Sequence, residues 1–400
     1  MDTRRRSQLR EELAVRAQAH HWDELIEAHG TPLLVLDPAD VRARYRQLTQ
    51  QLPGVELHYA VKAAPHPAVL HAIADSGGGF DVATTPEVDL VRSLGMGMST
   101  CIHTHPIKKV SDIWHAYRAG IRTFVVDNVV EAQKFTCLPA DIEVLVRLAF
   151  ANPSAKSDMS AKFGADPADA ELVVKHVLTA GVGFRGFSFH VGSQGSALAP
   201  FGTAVRTTRE LLVRMRRSLG VCASTIDIGG GFPVTYCEPM PSLAAVAAVI
   251  TEALGPEREF TVLAEPGRFL AASSMTLLTS VVGTRMRNGQ VWHYLDDGLY
   301  GAYSNILTED VHPPILALAE LRTGSVPDYE RCEYQPVTLA GSTCDGVDVV
   351  ARDYPMPPLS VGDVVVSPMM GAYTTVTSSR FNGIAETPIV VVPGAGLSAS

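Results

Sequence analysis

No stretch of this chain approaches the roughly 20 uninterrupted apolar residues of a membrane-spanning helix, so no such span is expected. Positive charge is also scarce: 33 Lys and Arg stand against 42 Asp and Glu, a formal net charge of −9. Phosphate backbones need a basic stripe, so nucleic acid is excluded as a partner, and a cationic small molecule is the more natural guest. The six cysteines (101, 137, 222, 237, 332 and 344) include no CxxC spacing. A disulfide framework and a thiolate metal site are therefore not expected, and a reducing cytoplasm is the compartment that fits. The basic start Met1-Asp2-Thr3-Arg4-Arg5-Arg6 runs into charged, polar sequence instead of the apolar core of a signal peptide. No internal repeat or low-complexity tract is present, and the glycine run 229–231 is not a GxGxxG, so a dinucleotide site is not indicated. Apolar residues, at 46% against 19% charged, are plentiful enough for a sizeable core and exclude disorder. A length of 400 residues suggests two domains of about 150 or more.

Residues 7–29 read as a polar helical lead-in and Thr31–Leu36 as a strand, with a helix from about Asp40 to Gln51. Eight short apolar runs then alternate with helix-length segments: 57–62, 80–84, 100–104, 123–127, 144–149, 186–191, 225–229 and 262–265. Continuously apolar strands separated by helices mean parallel sheet covered on both faces, and eight such units match a (β/α)8 barrel. After Arg268 the texture becomes β-rich, at 275–285, 291–294, 336–340, 363–367 and 387–392, with Gly, Pro and Asp turns. This predicts a barrel over 38–268 and a mostly antiparallel β domain built from 1–37 and 269–400.

Barrel enzymes carry their chemistry where strands end at the C-terminal face. The first run ends in Lys62, costly to bury unless it has a task such as condensing with an aldehyde. The second carries Asp81, the fifth Arg147, and the sixth is followed by His190 and Ser193. The seventh enters Gly229-Gly230-Gly231, whose backbone N–H groups can close on a phosphate. The eighth ends in Glu265-Pro266-Gly267-Arg268, a carboxylate and a guanidinium at the usual phosphate end of a barrel. One ligand unites an aldehyde for Lys62, a phosphate for the glycines and Arg268, and a ring nitrogen for Glu265: pyridoxal 5′-phosphate (PLP). His103 and His105 make only a two-ligand fragment, and no metal is expected. The long connection Ala151–Phe163 has the size of a lid.

The motifs Tyr59-Ala-Val-Lys62, Phe80-Asp-Val-Ala83, Phe189-His-Val-Gly-Ser193, Gly229-Gly-Gly-Phe-Pro233, Glu265-Pro-Gly-Arg268, Cys344-Asp-Gly-Val-Asp348 and Gly371-Ala-Tyr-Thr374 resemble those of the fold-type III PLP-dependent decarboxylases, in the ornithine/lysine branch. The resemblance runs from about Thr31 to Val392 and implies an alanine-racemase-like (β/α)8 TIM barrel plus a C-terminal β domain. It implies a homodimer with shared active sites. It gives Lys62 the cofactor aldehyde, Glu265 the pyridine nitrogen and His190 the ring face, with Asp81 and Arg147 in support. Ser193, Gly230, Gly267, Arg268 and Tyr373 fall on phosphate positions.

By the same resemblance Cys344 and Asp345 reach into the partner's site, and a thiol placed next to a substrate-binding carboxylate suits Cys344 as the proton donor. Asp345 and Asp297, together with Tyr373, would receive the substrate, the two carboxylates facing its distal ammonium. Asp345 argues against diaminopimelate, whose distal carboxylate would meet anions. Ala63-Ala64, Thr84-Thr85-Pro86 and Met369 depart from the usual pattern, which leaves ornithine, lysine and a larger or modified diamino acid open. A reading from another class, a catalytically inactive binding homologue, is disfavoured by the joint presence of Lys62, Glu265, Cys344 and Asp345.

Overall fold

The structure, a computed structural model, describes residues 3–255, 260–322 and 334–393. It divides into two compact units: residues 42–234 with 240–270, and residues 1–41 with 235–239 and 271–400.

The first unit is a closed barrel of eight strands: β1 (Val55–Ala60), β2 (Gly79–Val82), β3 (Cys101–His103), β4 (Thr123–Val126), β5 (Glu143–Leu148), β6 (Gly183–Phe189), β7 (Thr225–Asp227) and β8 (Thr261–Ala264). Every neighbouring pair is parallel, including the closing pairs β8–β1 and β6–β7. Each strand coincides with one of the eight apolar runs. Their residues are buried on both faces, as in the fully buried β2 and β4, so no polar alternation appears in the sequence. Val125, Leu145 and Leu263 form a cluster from three of the strands. Helices cover the outside with apolar stripes at helical spacing. In Leu243–Leu254 the buried residues are Leu243, Val246, Ala247, Ile250, Ala253 and Leu254, and Ser242 caps the first turn by accepting the Ala245 N–H.

The second unit is a mostly antiparallel eight-stranded sheet. Its strands are β9 (Met275–Arg287), β10 (Gln290–Leu295), β11 (Leu316–Ala317), β12 (Gln335–Ala340), β13 (Val349–Met356), β14 (Val364–Ser367) and β15 (Ile389–Val391). The remaining strand, Leu33–Leu36, pairs antiparallel with β9 and parallel with β15, so the early strand joins this sheet as expected. Its core gathers Leu13, Trp22, Leu33, Val35, Leu278, Leu316 and Val366, each stabilising the unit by about 1.5–3 kcal/mol when fully buried.

Three local expectations change. The helical lead-in is two helices, Thr3–Ala19 and Trp22–His29, broken where His21 adopts φ 51°. Strand β13 was not anticipated: four of its residues face outward or half outward in a charged Ala-Arg-Asp-Tyr stretch. Within the long connection, Ala155–Ser157 pairs antiparallel with Ser193–Gly195, and buried Asn152 donates to the Val191 carbonyl at 2.6 Å. That part of the connection is thus a strand laid against the segment following His190.

Candidate active site

At the barrel's C-terminal face, Lys62 sits in the short turn Val61–Ala63 that ends β1. Its Nζ donates to Asp81 Oδ2 at 2.7 Å, and the lysine side chain is 43% exposed while that of Asp81 is fully buried. The charge partner is thus fixed inside the barrel and the amine stands at its mouth. Thr104, just past β3, donates to the other oxygen of Asp81. Thr104 was not singled out as a site residue; its only signal was a hydroxyl at a strand end. Beyond β2, the Thr84 hydroxyl accepts the Glu87 N–H and Glu87 Oε2 accepts the Ala83 N–H at 2.6 Å. This reciprocal cap starts the next helix and fixes the strand end. Burial pushes the Glu87 carboxyl up, assisted by Asp81.

The glycine loop after β7 is packed against the end of β6. Gly229 has φ 63° and an added Cβ would stand 2.2 Å from the Phe189 carbonyl; for Gly231, at φ 88°, the Gly192 carbonyl would be 2.4 Å away. Any side chain there would push the loop out of place. A Cβ at Gly230 would meet the Glu265 carbonyl at 2.7 Å and His190 Nε2 at 3.1 Å, so Gly230, Glu265 and His190 converge. The Gly192 N–H donates to His190 Nδ1 at 3.0 Å, which places the ring proton on Nε2. Burial, then the cations Arg147 and Lys62, push His190 well below the ordinary histidine range. His190 is a neutral ring, suited to lying against an aromatic face.

Glu265 follows β8 and shares its surroundings with Asp227, the last residue of β7. Burial, then Asp227, raise the Glu265 carboxyl well above the carboxylate range; burial brings Asp227 to about 6. Arg147, on β5, places its guanidinium 5.3 Å from the Phe163 ring, and Phe163 meets His105 edge-on. Ser193 opens the short strand paired with Ala155–Ser157, Gly267 is buried, and Arg268 is 6% exposed at the start of the helix Arg268–Ala271. The barrel therefore brings together Lys62, Asp81, Arg147, His190, Gly230 and Glu265.

These residues fit PLP. A fully buried Asp227 beside a half-buried Glu265 requires a proton or a cation, and a pyridinium nitrogen is such a cation. The glycine loop has no room for side chains and presents backbone, and Lys62 carries a half-exposed amine.

The second unit holds the other expected residues. Cys344 is exposed, with Sγ donating to Asn382 Oδ1 at 3.0 Å. Asp345 Oδ1 accepts the Val347 N–H at 3.1 Å, and its other oxygen accepts the Tyr300 hydroxyl, which holds the Asp345 carboxyl below its ordinary value. Tyr300 stacks on Phe381 at 4.6 Å. Tyr373 is half-buried at φ 55°.

Asp297 is held within its own turn: Oδ1 accepts the N–H groups of Gly298 and Ala302, Oδ2 accepts the Thr387 hydroxyl, and the residue is 6% exposed. An Asp-Gly turn supplies N–H groups to its own carboxylate, and here they hold it in place. Burial raises this carboxyl to about 6 from 3.8. A raised carboxyl contributes stability below pH 3.8 that is lost as pH rises through 6, about 3 kcal/mol in all. In Asp297→Asn that loss disappears. The stability difference between wild type and variant, followed by denaturant melts from pH 3.5 to 7, should move by that order, while KM stays unchanged. A raised KM with no pH-dependent difference would mean that Asp297 serves the substrate instead of the turn.

Comparison with known proteins agrees with this geometry. Residues 38–272 match the pyridoxal-dependent decarboxylase, pyridoxal binding domain family. A lysine/ornithine decarboxylase of Selenomonas ruminantium is 34% identical over 365 residues, covering 90% of this chain and 89% of that protein. Crystal structures of a Vibrio vulnificus lysine/ornithine decarboxylase with cadaverine and with putrescine superpose with TM-scores of 0.85 and 0.84. They are 39% and 40% identical, and in both cases the match covers 94% of this chain and 98% of the other. The lysine at the barrel mouth, the glycine loop and Glu265 thus stand in a chain that belongs to the family of pyridoxal-dependent decarboxylases.

Proposed function

We propose that the protein removes the α-carboxylate of a basic L-amino acid, ornithine or lysine, as carbon dioxide and yields the diamine. The observation that carries the reading is Lys62 at the barrel mouth, its Nζ fixed by buried Asp81, in the same barrel as the Gly229–Gly231 loop and half-buried Glu265. When bound, PLP supplies an electron sink for the bonding pair that carbon dioxide leaves behind.

The chain's residues divide the remaining work. Lys62 Nζ would hold the cofactor through its aldehyde. Asp81, braced by Thr104, keeps that nitrogen in place and balances its charge. Glu265, as a carboxylate, keeps the pyridine nitrogen protonated. His190, held neutral by burial, would lie against the ring without competing for protons at neutral pH. The backbone at Gly229–Gly231 and Gly267, with Arg268, Ser193 and Tyr373, receives the phosphate. Asp345, ionised and held by Tyr300, takes the distal ammonium, and Cys344 Sγ carries the proton for Cα.

The loop bearing Cys344 and Asp345 acts in the site of a second copy of this chain. Val347, Val376, Phe381 and Ile384 are exposed in its sheet unit, as an apolar surface awaiting a partner would require. The alternative of a larger or modified diamino acid concerns the same site. Carbon dioxide release from a panel of ornithine, lysine, arginine and diaminopimelate tests the reading, and release from ornithine or lysine is expected. Release only from diaminopimelate would overturn the substrate class. An absorbance scan without a visible PLP band would overturn the enzyme in favour of a binding homologue. Asp345→Asn removes the ionic partner of the distal ammonium and should raise KM by about 10–100-fold, with kcat less affected.

A further inference from the structure

Asp227 has no place in the assignments above, yet its environment is unusual. It is the last residue of β7, 0% exposed, in register with Leu263 of β8. Residues level with each other in parallel strands, and residues two apart along a strand, face the same side. Leu263 belongs to the cluster with Val125 and Leu145, so Asp227 and Glu265 both turn toward the barrel's interior. The ladder continues past the strands: Ile228 donates to the Leu263 carbonyl at 2.9 Å and Glu265 to the Gly229 carbonyl at 2.8 Å. Asp227 Oδ1 accepts the Gly229 N–H at 2.9 Å, tying the carboxyl to the glycine loop. Asp227 Oδ2 is buried, and among the described residues the carboxyl of Glu265 is the largest side-chain influence on the Asp227 carboxyl, ahead of Asp81 and Arg147.

Two carboxylates, one fully buried and one half-buried, cannot both stay ionised at such range. The other charges around them are Asp81 at the end of β2, Lys62 after β1 and Arg147 on β5, with neutral His190 beyond β6. Asp81 is already engaged by Lys62 and Thr104.

We propose that Asp227 is a positioning residue which, in the cofactor-free site, holds one proton jointly with Glu265, and that this proton leaves when the pyridinium ring arrives. The inference rests on the reading that this barrel binds PLP. The balance is simple. The O–H bond of the shared carboxyl breaks, its proton goes to solvent, and the pyridinium N–H donates to the vacated oxygen. The raised values of both carboxyls agree with a single shared proton at neutral pH. Asp227 thereby keeps the empty site from carrying two adjoining anions, and its other oxygen holds Gly229 in the same stroke.

The test uses the full-length protein stripped of cofactor and, as probe, 4-deoxypyridoxine 5′-phosphate, which has the ring and phosphate but no aldehyde for Lys62. Calorimetric titration at pH 7.5 in two buffers of different ionisation heat counts the protons exchanged. In Asp227→Asn the side-chain oxygen still accepts the Gly229 N–H, but the like charge beside Glu265 is gone and an amide donor replaces it. Wild type should release about one proton more per site than the variant, and the ratio of their affinities should grow about tenfold per pH unit between pH 7 and 8. A residue that merely shaped the loop would change affinity without changing the proton count. Equal counts and a constant ratio overturn the proposal alone; failure of wild type to bind the probe overturns it together with the cofactor reading. Infrared difference spectra of wild type keep the test valid if the variant does not fold. The carbonyl stretch of a neutral buried carboxylic acid should vanish on adding the probe, and its absence before addition overturns the proposal.

Discussion

Lys62→Ala lowers carbon dioxide release by at least about 10³-fold, because it removes both the amine that holds the cofactor and a proton carrier at the reacting centre. It also leaves Asp81, whose side chain is fully buried, without its cation, so some loss of stability accompanies the loss of activity. Lys62→Arg separates the two effects. A guanidinium can still pair with Asp81 but is not a nucleophilic amine, so the fold recovers and the activity does not. Borohydride reduction should fix labelled cofactor on wild type and on neither variant. The strongest rival amine in the barrel is Lys108, since burial lowers it to about 7 and a neutral lysine is nucleophilic. Its Nζ, however, donates to the carbonyls of His105, Pro106 and Val125, and the residue is only 5% exposed. Label appearing at Lys108 or any other lysine at the wild-type level in Lys62→Ala would end the assignment.

The barrel was legible because its strands are buried on both faces and therefore read as unbroken apolar runs, while its site residues stand at the ends of those runs. What was not legible depends on register and on local hydrogen bonds. Asp227 and Glu265 lie 38 positions apart, and only the pairing of Asp227 with Leu263 turns both toward the same interior. Asp297 has the composition of a ligand and the geometry of a turn, because the N–H groups that claim it belong to its own loop. The Tyr300 hydroxyl that holds Asp345 comes from 45 residues away. Strand β13 escaped notice since an outward-facing strand carries the same Arg and Asp as a loop.

The shared site makes a prediction that no single chain could fulfil. A Lys62→Ala protein lacks the barrel amine and an Asp345→Ala protein lacks the carboxylate on the exchanged loop, so at substrate concentrations near the wild-type KM each homodimer has little activity. In a hybrid dimer the two lesions can be segregated. One site then combines the Asp345→Ala subunit's intact Lys62 with the Lys62→Ala subunit's intact Asp345, and the other site collects both lesions. Under random exchange of equal amounts, about half the dimers are hybrids and half their sites are whole. Carbon dioxide release should therefore recover to about a quarter of the wild-type rate. Cys344→Ala in place of Asp345→Ala should complement in the same way, since Cys344 and Asp345 are neighbours on one exposed loop. Each whole site retains the wild-type arrangement, so its KM should equal that of wild type and only the number of sites should fall. If subunit exchange is verified by mass and activity stays at the level of the homodimers, Asp345 serves the barrel of its own chain and the shared-site arrangement is wrong.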